Sequence, residues 1–293
     1  MDQRGLEAAS SEGPLAIICG GGTLPFAVAD AVQRRGRPVV LYAVRGWAAP
    51  EQVARFRHHW AQLGQFGWFL RTTRKDGCRD LVFMGTLARP RLGQLRFDLG
   101  TLRVLPRIMM AFRGGDNHML SAFTRVLEEH GFRVLAPQAV APDILAPAGL
   151  LGTRQPSERD RIDIARGLAV IDAMADFDVG QAAVVANNHV LAVEAVEGTD
   201  QMLARIAQLR ALGRVPVPPG VGVLVKAPKR GQDRRFDLPT IGPHTVAGVA
   251  CAGLAGIAFA AGETIIAEPQ EVAEAAAAAN IFVIGIGAKE AAL

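Results

Sequence analysis

The densest chemistry in this chain lies between Lys226 and Pro243, where Lys226, Lys229, Arg230, Arg234 and Arg235 face Asp233 and Asp237. Five cations less two carboxylates leave a local charge of +3. Such a mixture suits a phosphate held beside a divalent cation: the cations and a following helix N-terminus offset phosphate charge, while Asp233 or Asp237 ligates the metal or takes a proton from water. The plain alternative is a solvated basic hairpin with ordinary ion pairs. If the segment is extended, positions 233, 235 and 237 share a face, with Arg235 between the two aspartates. A second cluster, Glu194-Ala-Val-Glu197-Gly-Thr199-Asp200, gathers three carboxylates and a hydroxyl beside a glycine. It reads as a metal or sugar site, or more simply as a turn in which Thr199 or Asp200 caps the next helix.

These groups must be positioned by strands and helices. Val221–Val225 reads as a buried strand before the basic loop, and Pro243 opens a helix with proline in its first turn. Upstream, the apolar run Leu15–Cys19 stops at Gly20-Gly21-Gly22, and the helical spacing of Phe26–Arg35 and the run Pro38–Val44 complete a βαβ opening. The glycines fail the dinucleotide pattern G-x-G-x-x-G, because Pro25 stands where its third glycine belongs. They still allow backbone N–H groups to approach an anion, or form only a tight turn. Asp80–Met84 is a further strand, closed by Gly85 at its carboxyl end, where open parallel sheets bind ligands. Asp116 or Asn117 is a natural N-cap for the helix Met119–His130. Pro137–Pro147 is the exit to a second domain, in which Ser157–Ala175 is helical and two strands flank Asn187-Asn188 as a hairpin.

A length of 293 residues accommodates two domains, expected at 14–146 and 147–293. The composition, 50% hydrophobic and 20% charged with distributed glycine and proline, is that of a globular α/β protein. A net charge of +4 favours an anionic small molecule, while one Tyr and three Trp leave no aromatic platform for nucleic acid. Cys19, Cys78 and Cys251 are odd in number and far apart, so neither a disulfide framework nor a CxxC metal site is expected. The amino end lacks the apolar middle of a signal peptide, and the longest uncharged apolar stretch, Val246–Ala261, is shorter than the roughly 20 residues of a membrane span. A cytoplasmic protein is therefore expected.

In order along the chain, Ile17-Ile-Cys-Gly-Gly-Gly-Thr-Leu-Pro25, Met84-Gly85, Gly115-Asp-Asn117, Glu194–Asp200 and Lys226–Pro243 resemble the metal-dependent UDP-2,3-diacylglucosamine pyrophosphatases of lipid A biosynthesis, the type unrelated to the calcineurin-like hydrolase. The resemblance runs from Leu15 to Gly285, and Glu-Ala-x-Glu-Gly-Thr-Asp and Gly-Gln-Asp-x-Arg-x-Asp-Leu-Pro-Thr-Ile-Gly-Pro are its specific strings. It implies two α/β domains, the first Rossmann-like with a mainly parallel sheet, and a substrate cleft between them. It also implies Mg²⁺-dependent hydrolysis of the substrate to UMP and 2,3-diacylglucosamine 1-phosphate. Asp233 would be the catalytic carboxylate. Gly20, Gly21, Gly22, Gly85, Asp116, Asn117, Thr199, Lys226, Gln232, Arg235 and Thr240 would bind substrate, and Asp233, Asp237, Glu194, Glu197 and Asp200 would ligate the metal. The enzyme would be cytoplasmic, in transient contact with the inner-membrane surface, with a homodimer allowed for and no nucleic-acid partner. The competing reading is a nucleotide-sugar or dinucleotide binding module without hydrolytic activity. A Nudix box is excluded, since Thr124-Arg125 stand where it needs Arg-Glu, and no H-E-x-x-H zinc motif occurs.

Overall fold

Leu15–Cys19 is apolar at every position and forms β1, the central strand of a five-stranded parallel sheet. The structure, a computed structural model, describes residues 13–87, 96–111, 116–177, 179–230, 235–236 and 238–287, with the backbone alone at 107–111 and 116–121. The chain divides into two units, Met1–Ile144 with Asp233–Asp237, and Leu145–Gln232 with Leu238–Leu293.

In the first unit β1 is followed by α1 (Leu24–Arg34), β2 (Val39–Val44), α2 (Pro50–Val53), β3 (His58–Ala61), α3 (Phe66–Lys75) and β4 (Asp80–Met84). Then come α4 (Leu99–Ala111), α5 (Asp116–Glu129), β5 (Arg133–Val134) and α6 (Pro137–Val140). The strand order is β3-β2-β1-β4-β5, with Ile17 flanked by Leu41 and Val82. Alternate side chains of β1 enter different cores. Leu15, Ile17 and Cys19 pack with Phe26, Val28 and Val32 of α1, whereas Ala16 packs with Leu70 of α3 and Leu127 of α5. Burial on both faces explains why this strand is continuously apolar. The winding reverses between β1 and β4, the position where sheets of this kind open a crevice at their carboxyl ends.

Asp98 ties two helix starts together. Its Oδ1 accepts from the N–H of Gly67 (3.1 Å) and of Thr101 (2.8 Å), and its Oδ2 from the N–H of Trp68 (2.8 Å). Thr101 Oγ1 in turn accepts from the Phe66 N–H at 2.9 Å. Burial alone would raise the Asp98 pKa, but the bonds from Thr101, Trp68 and Gly67 hold it below the ordinary carboxylate value. Asp98→Ala removes caps from both α3 and α4 and is expected to cost about 2 kcal/mol in thermal or urea unfolding at neutral pH. Because the folded pKa is depressed, that contribution is complete above the unfolded value of about 4 and is lost as pH falls through the folded one. The gap between the two proteins should therefore close on acidification, and a gap unchanged at the lowest measurable pH would contradict the capping role.

The second unit contains β6 (Gly149–Leu150), α7 (Glu158–Ala173), β7 (Ala182–Ala186), β8 (His189–Val193), α8 (Gly198–Ala211) and β9 (Val223–Lys226). They are followed by β10 (Thr240–Ile241), α9 (Pro243–Cys251), β11 (Gly256–Ala260), β12 (Ile265–Ile266), α10 (Pro269–Ala278) and β13 (Phe282–Ile286). Its six-stranded sheet has the order β6-β13-β11-β9-β7-β8, parallel through β9, β11 and β13 and antiparallel toward both edges. The expected hairpin is present. Asn187 and Asn188 take φ of 49° and 61°, and their N–H groups donate to the buried Asp163 carboxylate of α7 at 3.0 and 2.6 Å. Met202, Leu203 and Ile206 of α8 and Val246 and Val249 of α9 share one core with Leu224, Ile257 and Val283 of the sheet. That core fixes the starts of α8 and α9 relative to β9. Cys19 and Cys78 are buried free thiols pushed up to about 12 and about 11 by burial, and Cys251 is free and exposed.

Two capping expectations are corrected. α8 already begins at Gly198, so Thr199 and Asp200 lie inside its first turn, and the N-cap Glu197 makes no side-chain capping bond. Asp116 and Asn117 likewise lie within α5 rather than ahead of it; their side chains fall outside what the structure describes.

Candidate functional site

Lys226 is the last residue of β9 and is only 5% exposed, although its ammonium must be solvated or paired. Its Nζ donates to Thr199 Oγ1 at 2.9 Å and to the Thr240 carbonyl at 3.0 Å. Thr199 then donates its own hydroxyl proton to Glu194 Oε1 at 2.6 Å, and Glu194 Oε2 accepts from the Gln181 N–H at 2.9 Å. A buried cation is thus linked to a buried carboxylate through one hydroxyl that both accepts and donates.

Beside this relay lies a cavity of about 280 Å³ lined by Glu197, Gly198, Thr199, Asp200, Lys226, Thr240 and Thr245. The lining carries no apolar aromatic or aliphatic side chain. Thr199 and Asp200 come from the first turn of α8, Thr245 from the first turn of α9 and Thr240 from β10. Two helix N-termini therefore border one polar cavity with a lysine in its wall, an arrangement that favours an anion. Gly198 takes φ +77°, a conformation that suits glycine, and so lets the chain turn from β8 into α8 at the cavity edge. Glu197, in the lining, is also paired with Arg205, whose Nη2 donates to Glu197 Oε1 at 3.1 Å.

The structure brings together five of the residues singled out in the sequence: Thr199, Lys226, Thr240, Glu197 and Asp200. Glu194 stands behind the lining, both its oxygens occupied by Thr199 and Gln181. Thr245 was missed; the signal for it is a hydroxyl two residues after Pro243, which places it in the first turn of a helix. Gln232, Asp233 and Asp237 lie outside the described residues. Arg235 and Phe236 are described as a turn, so the extended reading of this segment fails there. The turn is held on both sides: the Phe236 and Phe83 ring centroids lie 5.4 Å apart, and Arg235 reaches Glu128 Oε1 at 3.3 Å. Both residues belong to the first unit, while the chain through 230 and from 238 belongs to the second.

The glycines at the carboxyl ends of β1 and β4 form a separate feature of the first unit. Gly20 donates its N–H to Met84 O at 2.8 Å, and Gly21 and Thr86 exchange backbone bonds at 2.9 and 3.0 Å. A Cβ at Gly20 would meet Thr86 O at 2.7 Å, and one at Gly85, where φ is +95°, would meet Gly21 O at 2.6 Å. Close backbone approach is therefore required of Gly20 and Gly85 by each other's loops. A Cβ at Gly22 meets nothing within 4 Å.

Among the described residues, no three His, Cys, Asp or Glu side chains gather as a metal site. Glu197 and Asp200 do supply oxygen donors at the cavity wall, which fits Mg²⁺, an ion often held by one or two carboxylates together with substrate phosphates.

Comparison with known proteins agrees in both halves. The family model of the LpxI N-terminal domain matches residues 14–144, and that of the LpxI C-terminal domain matches residues 147–284. The UDP-2,3-diacylglucosamine pyrophosphatase LpxI of Caulobacter vibrioides is 37% identical over 276 residues, which cover 94% of this chain and 98% of the relative. With both domain models matched in order and a relative this similar along nearly its whole length, the chain belongs to the LpxI family.

Proposed function

We propose that this protein hydrolyses the diphosphate of UDP-2,3-diacylglucosamine, the compound named for its Caulobacter relative, to UMP and 2,3-diacylglucosamine 1-phosphate. The observation that carries the reading is the polar cavity in which buried Lys226 meets the starts of α8 and α9. A diphosphate is the part of that substrate with enough negative charge to use it.

In this reading the ammonium of Lys226 and the first-turn N–H groups of α8 hold phosphate oxygens and stabilise the charge that builds up as the bridging P–O bond breaks. Glu194 acts through Thr199, fixing the hydroxyl that orients the lysine. Water adds its oxygen to one phosphorus, the P–O–P bridge breaks at that phosphorus, and the other phosphate leaves with the bridging oxygen. Asp233 is proposed, on the family resemblance, to orient that water and take its proton. Glu197 and Asp200 would hold Mg²⁺ from the cavity wall, with Asp233 and Asp237 as further candidate ligands. When bound, Mg²⁺ offsets phosphate charge and acidifies water.

No described helix is long and apolar enough to cross a membrane. A diacylated substrate resides in a bilayer, so we place the protein in the cytoplasm, working at the inner-membrane surface. Phosphorus NMR of purified protein with substrate and Mg²⁺ tests the reaction: the diphosphate resonances should give way to two phosphomonoester resonances. A spectrum that shows bound but unchanged diphosphate would overturn hydrolysis and leave a binding module.

A further inference from the structure

From Leu87 to Gly115 the sequence carries six arginines, at 89, 91, 96, 103, 107 and 113, and one acid, Asp98. The difference is +5, more than the +4 of the whole chain. Where the structure describes this stretch, its one carboxylate is turned inward onto the N–H groups of Gly67, Trp68 and Thr101. The cations Arg96 and Arg103 stay exposed.

Two of the apolar side chains described in α4 turn toward solvent. α4 buries Thr101 and Val104, and turns outward Leu99 (78% exposed), Leu102 (51%), Arg103 and Pro106. Positions 99, 102, 103 and 106 lie on one helix face, and Phe97, 41% exposed, precedes it. A single exposed leucine is ordinary, but Leu99 and Leu102 exposed beside Arg103, with Arg96 and Phe97 just ahead of them, put apolar surface for insertion and positive charge for anionic headgroups in one place. The face is also held in place, because Asp98 and Thr101 anchor the start of α4 to that of α3.

We infer that Arg96, Phe97, Leu99, Leu102, Arg103 and Pro106 form the surface through which this protein rests on an anionic bilayer. The inference builds on the proposed diacylated substrate, whose chains lie in such a bilayer. Charge selects this occupant over the alternatives. A second copy of the chain would meet the +5 stretch with the same sign, and a nucleic acid would use the arginines while leaving the leucines in water.

The test is co-sedimentation with phosphatidylcholine vesicles made with or without phosphatidylglycerol. The natural protein should pellet with the anionic vesicles, stay in solution with the neutral ones, and be released by high salt. Arg96→Gln with Arg103→Gln should weaken binding about fivefold per arginine. Leu99→Ser with Leu102→Ser should weaken it about tenfold per leucine. Both double variants should release UMP at the natural rate from detergent-dispersed substrate and more slowly from vesicle-embedded substrate. Failure of the natural protein on dispersed substrate counts against the proposed reaction alone. Variants that pellet like the natural protein would overturn the docking surface. So would lipid-free self-association that the leucine substitutions abolish, which would identify a second copy as the occupant.

Discussion

Asp233→Asn is expected to keep binding UDP-2,3-diacylglucosamine while turnover falls about 10² to 10⁴-fold, the usual loss when a group that positions or deprotonates water is removed. The loop that carries Asp233 leaves β9 at Lys226 and re-enters the fold at Thr240, and both of those residues line the polar cavity. If Asp233 only orders its loop through a neighbouring arginine, the substitution costs at most about 1 kcal/mol of stability and leaves the rate intact. Single-turnover UMP release beside equilibrium binding separates the two outcomes. Near-natural turnover at saturating Mg²⁺ would move the catalytic assignment to Glu197 and Asp200.

Lys226→Met should lower kcat/KM about 10² to 10³-fold, the range seen when one preorganised group that stabilises developing charge is lost. The substitution nearly preserves length and apolar volume but deletes the bonds to Thr199 and Thr240 and leaves the Glu194 carboxylate buried without its cation. It should therefore also destabilise the second unit, since a hydroxyl and a carbonyl lose their donor, at about 1–3 kcal/mol for each group left unsatisfied. Lys226→Met combined with Glu194→Gln should recover much of that stability without recovering activity, and a double-mutant cycle measures the coupling. Activity that returns together with stability would show that the relay only holds the fold.

Much of this architecture was legible because its signals are local. The runs at Leu15–Cys19 and Asp80–Met84 are apolar strands ended by glycine, and Pro243 does open a helix. Ser157 begins α7 through a capping box with Asp160, three residues on. The two-residue strand β10 left no readable pattern, because pairing with β12 across 25 residues of chain defines it. The site divides in the same way. Thr199, Glu197 and Asp200 sit together in a motif, but the role of Glu194 depends on Gln181 and, through Thr199, on Lys226, partners that only the folded sheet brings near. Gly20 and Gly21 read as an anion cradle because the backbone that takes up their N–H groups, at Met84 and Thr86, is more than 60 residues away.

A crystal structure of Asp233→Asn with UDP-2,3-diacylglucosamine tests the placement of the diphosphate most directly. Phosphate oxygens are expected within hydrogen-bonding distance of Lys226 Nζ and of the first-turn N–H groups of α8. Diphosphate bound instead beside Gly22 at the start of α1, with the Lys226 cavity empty, would contradict that placement.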